Sequence, residues 1–388
     1  MEDAATPPAD GIHALLPREQ LPEHVRKLRD TIAITPGAPL LHREFGFYCL
    51  ERWHEQGLPA DADLAEWFGY DPPADFGLGR LGWCEAAFCP AFQTQVIEDR
   101  GEHEVVRDHA GRHVLCFKGR RSGFMPEYID HPVKDWKSWE QDVKWRLAPD
   151  APGRDENLAE TLDTAEARAR EGIYIVQPVV GPYMYLRSLI GPEELLYMFY
   201  DQPDLIHDCL AAWYGLADHV TAQHQSRVSL DEIFFAEDIC YNAGPLISPE
   251  MMREFLFPYY RQLLDNTRRR QIDPHRPLHV KIDTDGRAEP VIPVYQELGM
   301  DIMTPFEVAS GCDVVEIGRR YPDLVLMGGI DKRILAAGPA AIDREVERIL
   351  PPLRERGGYL PTCDHGVPEE VSLESYLHYR KRCLELGG

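Results

Sequence analysis

The chain has 388 residues, of which 44% are hydrophobic and 27% charged, so it carries ample apolar material for a large core and no compositional reason for disorder. Its 65 acidic against 41 basic side chains give a formal net charge of −24, a field that repels nucleic acid and anionic membrane surfaces and points to a small-molecule substrate, although it also simply solvates the surface. Nine scattered cysteines without a Cys-x-x-Cys pair, a start from Met1 to Gly11 unlike a secretory signal, and no run near the ~20 apolar residues of a membrane span lead us to expect a cytoplasmic protein with reduced thiols.

In chain order, residues 1–12 are acidic and rich in Ala and Pro and are expected to be flexible. Pro39 to Glu44 reads as a first strand, and a second is expected between Cys84 and Ile97. Residues 92–118 read as a hairpin insertion, because Gln95 to Lys118 alternates in period two around Asp99-Arg-Gly and His109-Ala-Gly-Arg. Pro149 to Arg154 is a loop, and Leu158 to Glu171 a charged helix.

From Gly172 onward, short apolar runs alternate with amphipathic segments of helical period, the pattern of βα units around a parallel sheet. The strands expected are Tyr174 to Val180, Glu232 to Ala236, Leu278 to Asp283, Ile302 to Pro305, Leu324 to Gly328 and Tyr359 to Cys363. With the two earlier strands the count reaches eight. The predicted fold class is therefore α/β: a single (β/α)8 TIM barrel over residues 1–388, with an N-terminal extension and the hairpin insertion.

Helix signals support the alternation. Ser248-Pro249 and Gly338-Pro339 put proline in a first helical turn, and Pro258 is expected to kink the first of these helices. Ile342, Val346, Ile349, Leu350 and Leu353 form one apolar stripe that Gly357-Gly358 ends. Ser372 caps the last helix, whose Leu373, Tyr376, Leu377 and Leu384 are expected to face inward.

The most informative segment is LHVKIDTDG from Leu278. Period-two alternation puts Leu278, Val280 and Ile282 on one face and His279, Lys281 and Asp283 on the other. In a barrel strand the polar face points into the lumen, with Asp283 and Asp285 nearest the C-terminal mouth, where barrel active sites lie. The alternative is a buried Lys-Asp pair that only fills the barrel. Glu237 and Asp238 follow the strand Glu232 to Ala236, unless Asp238 serves the Ala243-Gly244-Pro245 turn.

The last strand ends in Cys363, Asp364 and His365. His365 is suited to acid-base work near neutral pH, while Cys363 is either a thiolate metal ligand or a small buried apolar residue. Glu307 and Asp331 complete a ring of acids at successive strand ends, although Asp331-Lys332 also reads as a helix cap. Cys84 and Cys89 lack the matching second pair of a zinc finger, and Met327-Gly328-Gly329 lacks a P-loop or dinucleotide pattern.

At these residues the sequence resembles the uroporphyrinogen decarboxylase (URO-D) superfamily, and within it the branch related to cobalamin-dependent methyltransferases. The similarity runs from about Asp130 to the C-terminus, on HPVKDWKSWE from His131, AEDICYNAGPLISPEMMREFLFPYY from Ala236, VKIDTDG from Val280, LMGGIDK from Leu326 and GGYLPTCDHGVPEEVS from Gly357. The resemblance implies a (β/α)8 barrel with a deep cleft. Methyltransferases of that branch move a methyl group between a corrinoid (cobalamin) and a thiol, using zinc held by a His-x-Cys pair and a later Cys.

His279 matches the histidine and Cys363 the later cysteine, so these are the metal ligands that the resemblance implies. Lys281 stands where the first cysteine belongs, and a cation beside zinc is electrostatically unfavourable. Uroporphyrinogen decarboxylases grip their substrate's carboxylates with an N-terminal arginine-rich segment. Arg121 to Tyr128 is similar, but it lacks the second arginine and stands far later in the chain.

The expectation is a corrinoid-linked methyltransferase acting on a small molecule. Its catalytic residues are Glu237, His279, Lys281, Asp283 and His365, and its substrate-binding residues Asp238, Asp285, Glu307 and Asp364. The alternatives are a decarboxylase or other lyase acting on a tetrapyrrole or small acid, with Lys281 pairing the carboxylate, and a non-catalytic binder of a tetrapyrrole or corrinoid. A corrinoid protein and a second copy of the chain, forming a homodimer, are the expected protein partners; nucleic acid and membrane are not.

Overall fold

The computed structural model describes residues 15–119 and 126–388. The expected flexible segment 1–12 and most of Arg121 to Tyr128 lie outside the described residues.

In chain order, β1 (Asp75–Gly77) is followed by β2 (Gln95–Arg100), β3 (His103–Arg107), β4 (His113–Phe117) and β5 (Glu127–Asp130), which form an antiparallel sheet of their own. Then β6 (Tyr174–Val180), β7 (Glu232–Ala236), β8 (His279–Asp283), β9 (Ile302–Thr304), β10 (Val325–Met327) and β11 (Tyr359–Leu360) join β1 in a curled parallel sheet. Its order is sequential, β1-β6-β7-β8-β9-β10-β11, and the helices between the strands return the chain to the same end of the sheet each time.

The parallel strands after Gly172 fall where the sequence reading puts them, because each is a short apolar run between helix signals. The first two expected strands do not. Pro39 to Glu44 is extended but belongs to no ladder: His42 N donates to Asp71 Oδ2 at 2.7 Å and Leu40 N to Gly387 O at 3.0 Å, so its donors are spent elsewhere. The strand beside β6 is β1, upstream of the expected Cys84 to Ile97 interval, and its three residues are too few to show a period. The parallel sheet thus has seven strands among the described residues, not eight. The antiparallel insertion runs past the expected 92–118 hairpin, adding β5 and using the fully exposed β2 as its edge.

Helix punctuation follows the local chemistry. Ser248 caps Pro249–Met251, after which Met252–Leu256 widens into a π turn just before Pro258, whose ring has no N–H to give. Helix Pro339–Arg356 buries the whole expected stripe from Ile342 to Leu353. Ser372 caps Leu373–Gly387 by accepting from Ser375 N, but Leu384 is exposed: the inward face is Tyr376, Tyr379, Arg380 and Cys383, and position 384 falls off that stripe.

Alternation along the strands divides the core in two. Ile233, Phe235, Val280, Ile282 and Leu326 pack outward under the helices, whereas Tyr174, Val176, Phe234, Ala236, Ile302 and Val325 form a smaller inner cluster. Leu28 and Ile32 of the helix Glu23–Ile32 join the inner cluster. Among the described residues, no helix is long and apolar enough to cross a membrane.

Candidate active site

Strands β7 and β8 end side by side. The N–H groups of Glu237 and Asp238 both donate to Asp283 O, at 2.9 and 3.1 Å, and the Thr284 hydroxyl oxygen accepts from Ile239 N and Cys240 N at 3.1 Å each. This lock fixes Glu237, Asp238, Asp283 and Asp285 around the wall of a cavity of about 340 Å³ at the C-terminal ends of the strands. His365 reaches the same cavity from beyond β11. Gly181, at the end of β6, gives the room Glu237 needs: a Cβ there would lie 1.7 Å from Glu237 Oε2.

Burial and like charge keep Glu237, Asp283 and Asp285 protonated to unusually high pH. Glu237 is fully buried and pushed up to about 8, even though Tyr295 OH donates to its Oε1 at 3.0 Å and Tyr183 N to its Oε2 at 3.3 Å. Burial, then Asp238 and Glu307, lift Asp285 to about 7. Asp283 is driven well above the carboxylate range by burial and by Asp285 and Asp238. Burial, helped by Lys332, lowers His365 below its ordinary value and so favours neutral imidazole. Asp238 is held at a φ of 41°, in the left-handed region, by an ion pair to Arg187 rather than by the Ala243-Gly244-Pro245 turn.

Of the residues singled out in the sequence, Glu237, Asp238, Asp283, Asp285 and His365 share the cavity. Lys281 and His279 do not line it. Lys281 Nζ pairs with Glu232 Oε1 at 2.5 Å and lies 4.5 Å from the centre of the Phe234 ring. His279 sits four residues before Asp283, roughly 13 Å down the strand, with its Nδ1 2.7 Å from Asp301 Oδ2. Burial alone would lower its pKa, but the Asp301 bond and charge win and raise it. Glu307 and Asp364 stand just behind the cavity wall. Glu307 accepts from Gly286 N at 2.9 Å, Asp364 from Val308 N at 2.9 Å, and Lys332 Nζ lies 3.6 and 3.5 Å from the two carboxylates. Asp331 caps the short helix Lys332–Leu335.

The cavity also recruits residues that sequence reasoning passed over. Phe45, Tyr48 and Trp83 come from the part of the chain that had no clear period. Arg112 and Tyr128 come from the insertion, and Arg187 from the helix Pro182–Ile190. Arg112 is buried between Asp108 and Glu85, 2.8 and 2.7 Å away, and lies over the Tyr128 ring at 4.7 Å. The left-handed Asp238 is visible only in the backbone. The signal available in the sequence was the insertion itself, since loops on this fold carry function.

The zinc site implied by His279 and Cys363 does not fit these residues. Among the described residues no group of three or more His, Cys, Asp and Glu side chains is placed to hold a metal ion. Cys363 is fully buried, its thiol pushed well above the ordinary range by burial and by Glu44, and His279 is engaged by Asp301.

Residues 123–383 match the profile of the uroporphyrinogen decarboxylase (URO-D) family. The chain belongs to the URO-D family. Uroporphyrinogen decarboxylase of Alcanivorax borkumensis is 30% identical over 205 residues, which cover 50% of this chain and 52% of that protein. The enzyme of Hydrogenovibrio crunogenus is 26% identical over 200 residues, 49% and 51% of the two chains. This URO-D chain thus spans about half the length of the curated relatives it matches. A solved methyltransferase from Methanosarcina mazei superposes with a TM-score of 0.56 at 15% identity, covering 93% of this chain and 98% of that one, and so shares its fold.

Proposed function

We propose that this URO-D family member is a methyltransferase that removes a methyl group from a small neutral or cationic compound, with a corrinoid protein as acceptor. The observation that carries this reading is the charge of the cavity wall. Four carboxyl groups converge there, while the two arginines beside them are already paired, Arg187 with Asp238 and Arg112 with Asp108 and Glu85. A carboxylated substrate would find no free arginine to clamp it and would oppose ionisation of the acids around it, which disfavours decarboxylation of the kind named for the curated relatives. The volume lies at the lower end of the range for small-molecule sites.

The corrinoid, when bound on its own protein, supplies the nucleophile that takes the methyl group. What this chain contributes is acid-base chemistry. Glu237, the most buried acid, supplies a proton to the heteroatom that keeps the electron pair of the broken bond, and Asp283 holds the strand ends in register. Neutral His365 accepts a proton from an incoming or departing group near Asp285, 3.9 Å from its Nε2. In this reading Lys281 and His279 hold the sheet together rather than touch substrate.

The test is to incubate the protein with a corrinoid protein or free reduced cobalamin and a panel of O-, S- and N-methylated compounds. Methylation of the corrinoid, read from its visible spectrum, is expected, and Glu237→Gln is expected to slow it by about 10²-fold. A silent corrinoid spectrum together with carbon dioxide release from a panel of carboxylates would reverse the assignment.

A further inference from the structure

We infer that the cavity is built for a substrate carrying a methylated ammonium group. The inference deepens the methyl-transfer reading and rests on it for the chemistry, but not for binding.

The first ground is an imbalance in ion pairing. Lys281 belongs to Glu232 and Lys332 to Glu307 and Asp364, while Arg112 and Arg187 are neutralised as described. Among the described residues, no Lys or Arg nitrogen lies within 4 Å of Glu237, Asp283 or Asp285. The His365 imidazole, 3.9 Å from Asp285, is the nearest basic group, and its burial favours the neutral form. Among the described residues, three carboxyl groups of the cavity thus have no Lys or Arg paired to them and can ionise when a cation arrives.

The second ground is independent of charge. Three large aromatic rings that line the same cavity are left open to water: Phe45 at 40%, Tyr48 at 52% and Trp83 at 48% exposure. The rings of Phe45 and Tyr48 lie 5.0 and 5.9 Å from that of His365, so the aromatic wall and the acidic wall meet at one side chain. A fully methylated, quaternary ammonium has a diffuse charge and no N–H to donate. It is recognised by the faces of aromatic rings and by carboxylates at longer range, not by direct hydrogen bonds. Arranged aromatic faces beside surplus acids suit that group. They do not suit a carboxylate.

The chemistry balances. The C–N bond breaks with its electron pair left on nitrogen, the methyl group passes to the reduced corrinoid, which supplies the new bonding pair, and the cation becomes a neutral tertiary amine. The electron pair left on nitrogen then accepts a proton from Glu237, the donor assigned to the departing heteroatom. The charges facing Asp285 are Asp238, Glu307 and Asp283 on the acidic side, and Lys332, Arg187 and the His365 ring on the other. A cation added to this set draws a proton off Asp285, so binding near pH 7 is accompanied by proton release.

Isothermal titration calorimetry on the full chain tests this at pH 7, with choline and its uncharged carbon isostere 3,3-dimethylbutan-1-ol as probes, in two buffers of different ionisation enthalpy. Choline is expected to bind at least about tenfold more tightly than the isostere, and to release part of a proton that the isostere does not. Trp83→Leu and Tyr48→Leu, both at exposed positions that leave the fold intact, are expected to weaken choline severalfold and the isostere little. Equal or tighter binding of the isostere, or no choline binding, overturns the inference. Corrinoid methylation from a neutral ether with no choline binding would leave the methyl-transfer reading standing and remove only this one. Choline binding with proton release but no methyl transfer from any substrate would do the opposite.

Discussion

The two ends of the parallel sheet treat charge in opposite ways. At the N-terminal end, buried Asp231 accepts from Arg276 at 2.9 and 2.7 Å, from Arg29 at 3.1 Å and from Ile175 N at 2.8 Å; Lys281 meets Glu232 and His279 meets Asp301. At the C-terminal end, Glu237, Asp283 and Asp285 crowd one another around a void. Pairing offsets part of the cost of burying a charge, whereas crowded like charges raise the energy of the folded chain and persist where they serve chemistry. One strand, β8, spans both regimes: its His279 and Lys281 are neutralised, and its Asp283 is not.

The largest effect that sharpens this contrast should come from Asp231. Asp231→Ala removes the carboxylate that two guanidinium groups share, of which Arg276 is only 3% exposed at its side chain, and should cost about 3–5 kcal/mol of stability in chemical denaturation. A loss below about 1 kcal/mol would mean that the lower network is not what holds this end together. Glu237→Gln is expected to do the reverse: no loss of stability at pH 8, with a methyl-transfer rate down by about 10²-fold, or about 2.7 kcal/mol in barrier.

The same variant reads out through pH. An acid whose folded pKa lies above its unfolded one keeps its proton in the native chain while the unfolded chain ionises. It therefore stabilises the fold fully below about pH 4.3, and that contribution is lost as pH rises to the folded value. For Glu237, pushed up to about 8, the window runs from about pH 4.3 to about 8. Stability of the native protein should fall across this window more steeply than that of Glu237→Gln, by up to about 1.4 kcal/mol per pH unit. Parallel curves for the two proteins would show that Glu237 ionises normally and would remove the acid on which the proposed chemistry leans.

How much of this could be read from sequence divides along similar lines. Strands β6 to β11 were legible because each is a short apolar run bracketed by helix signals, and the strand-end acids followed from strand polarity alone. The segment from Pro39 to Glu44 was misread because apolar residues there serve an extended chain whose donors go to Asp71 and Gly387, a fact set by partners some 30 and 350 positions away. β1 was missed because three residues carry no period. Period two correctly put Lys281 and Asp283 on one face, but a face has length as well as direction. Which of its residues reach the cavity depended on Glu232 and Asp301 from neighbouring strands. Phe45, Trp83 and Arg112 left no local trace, since nothing near them in sequence announces that they meet at the strand ends.

His279 gives the smallest expected effect. Its bond to Asp301, with side chains 21% and 38% exposed, is worth under about 1 kcal/mol once solvent screening is counted. Because the partner raises the His279 pKa above its ordinary value, this stabilisation is fully present below about pH 6.5 and disappears as pH rises through the raised folded value. His279→Ala should therefore lose a fraction of a kcal/mol at pH 6, almost nothing at pH 9, and leave the turnover rate within about twofold, since the side chain stands roughly 13 Å along the strand from Asp283. A collapse of turnover in this variant, with its fold and its pH-stability curve intact, would put chemistry at the end of the sheet where every charge is already paired.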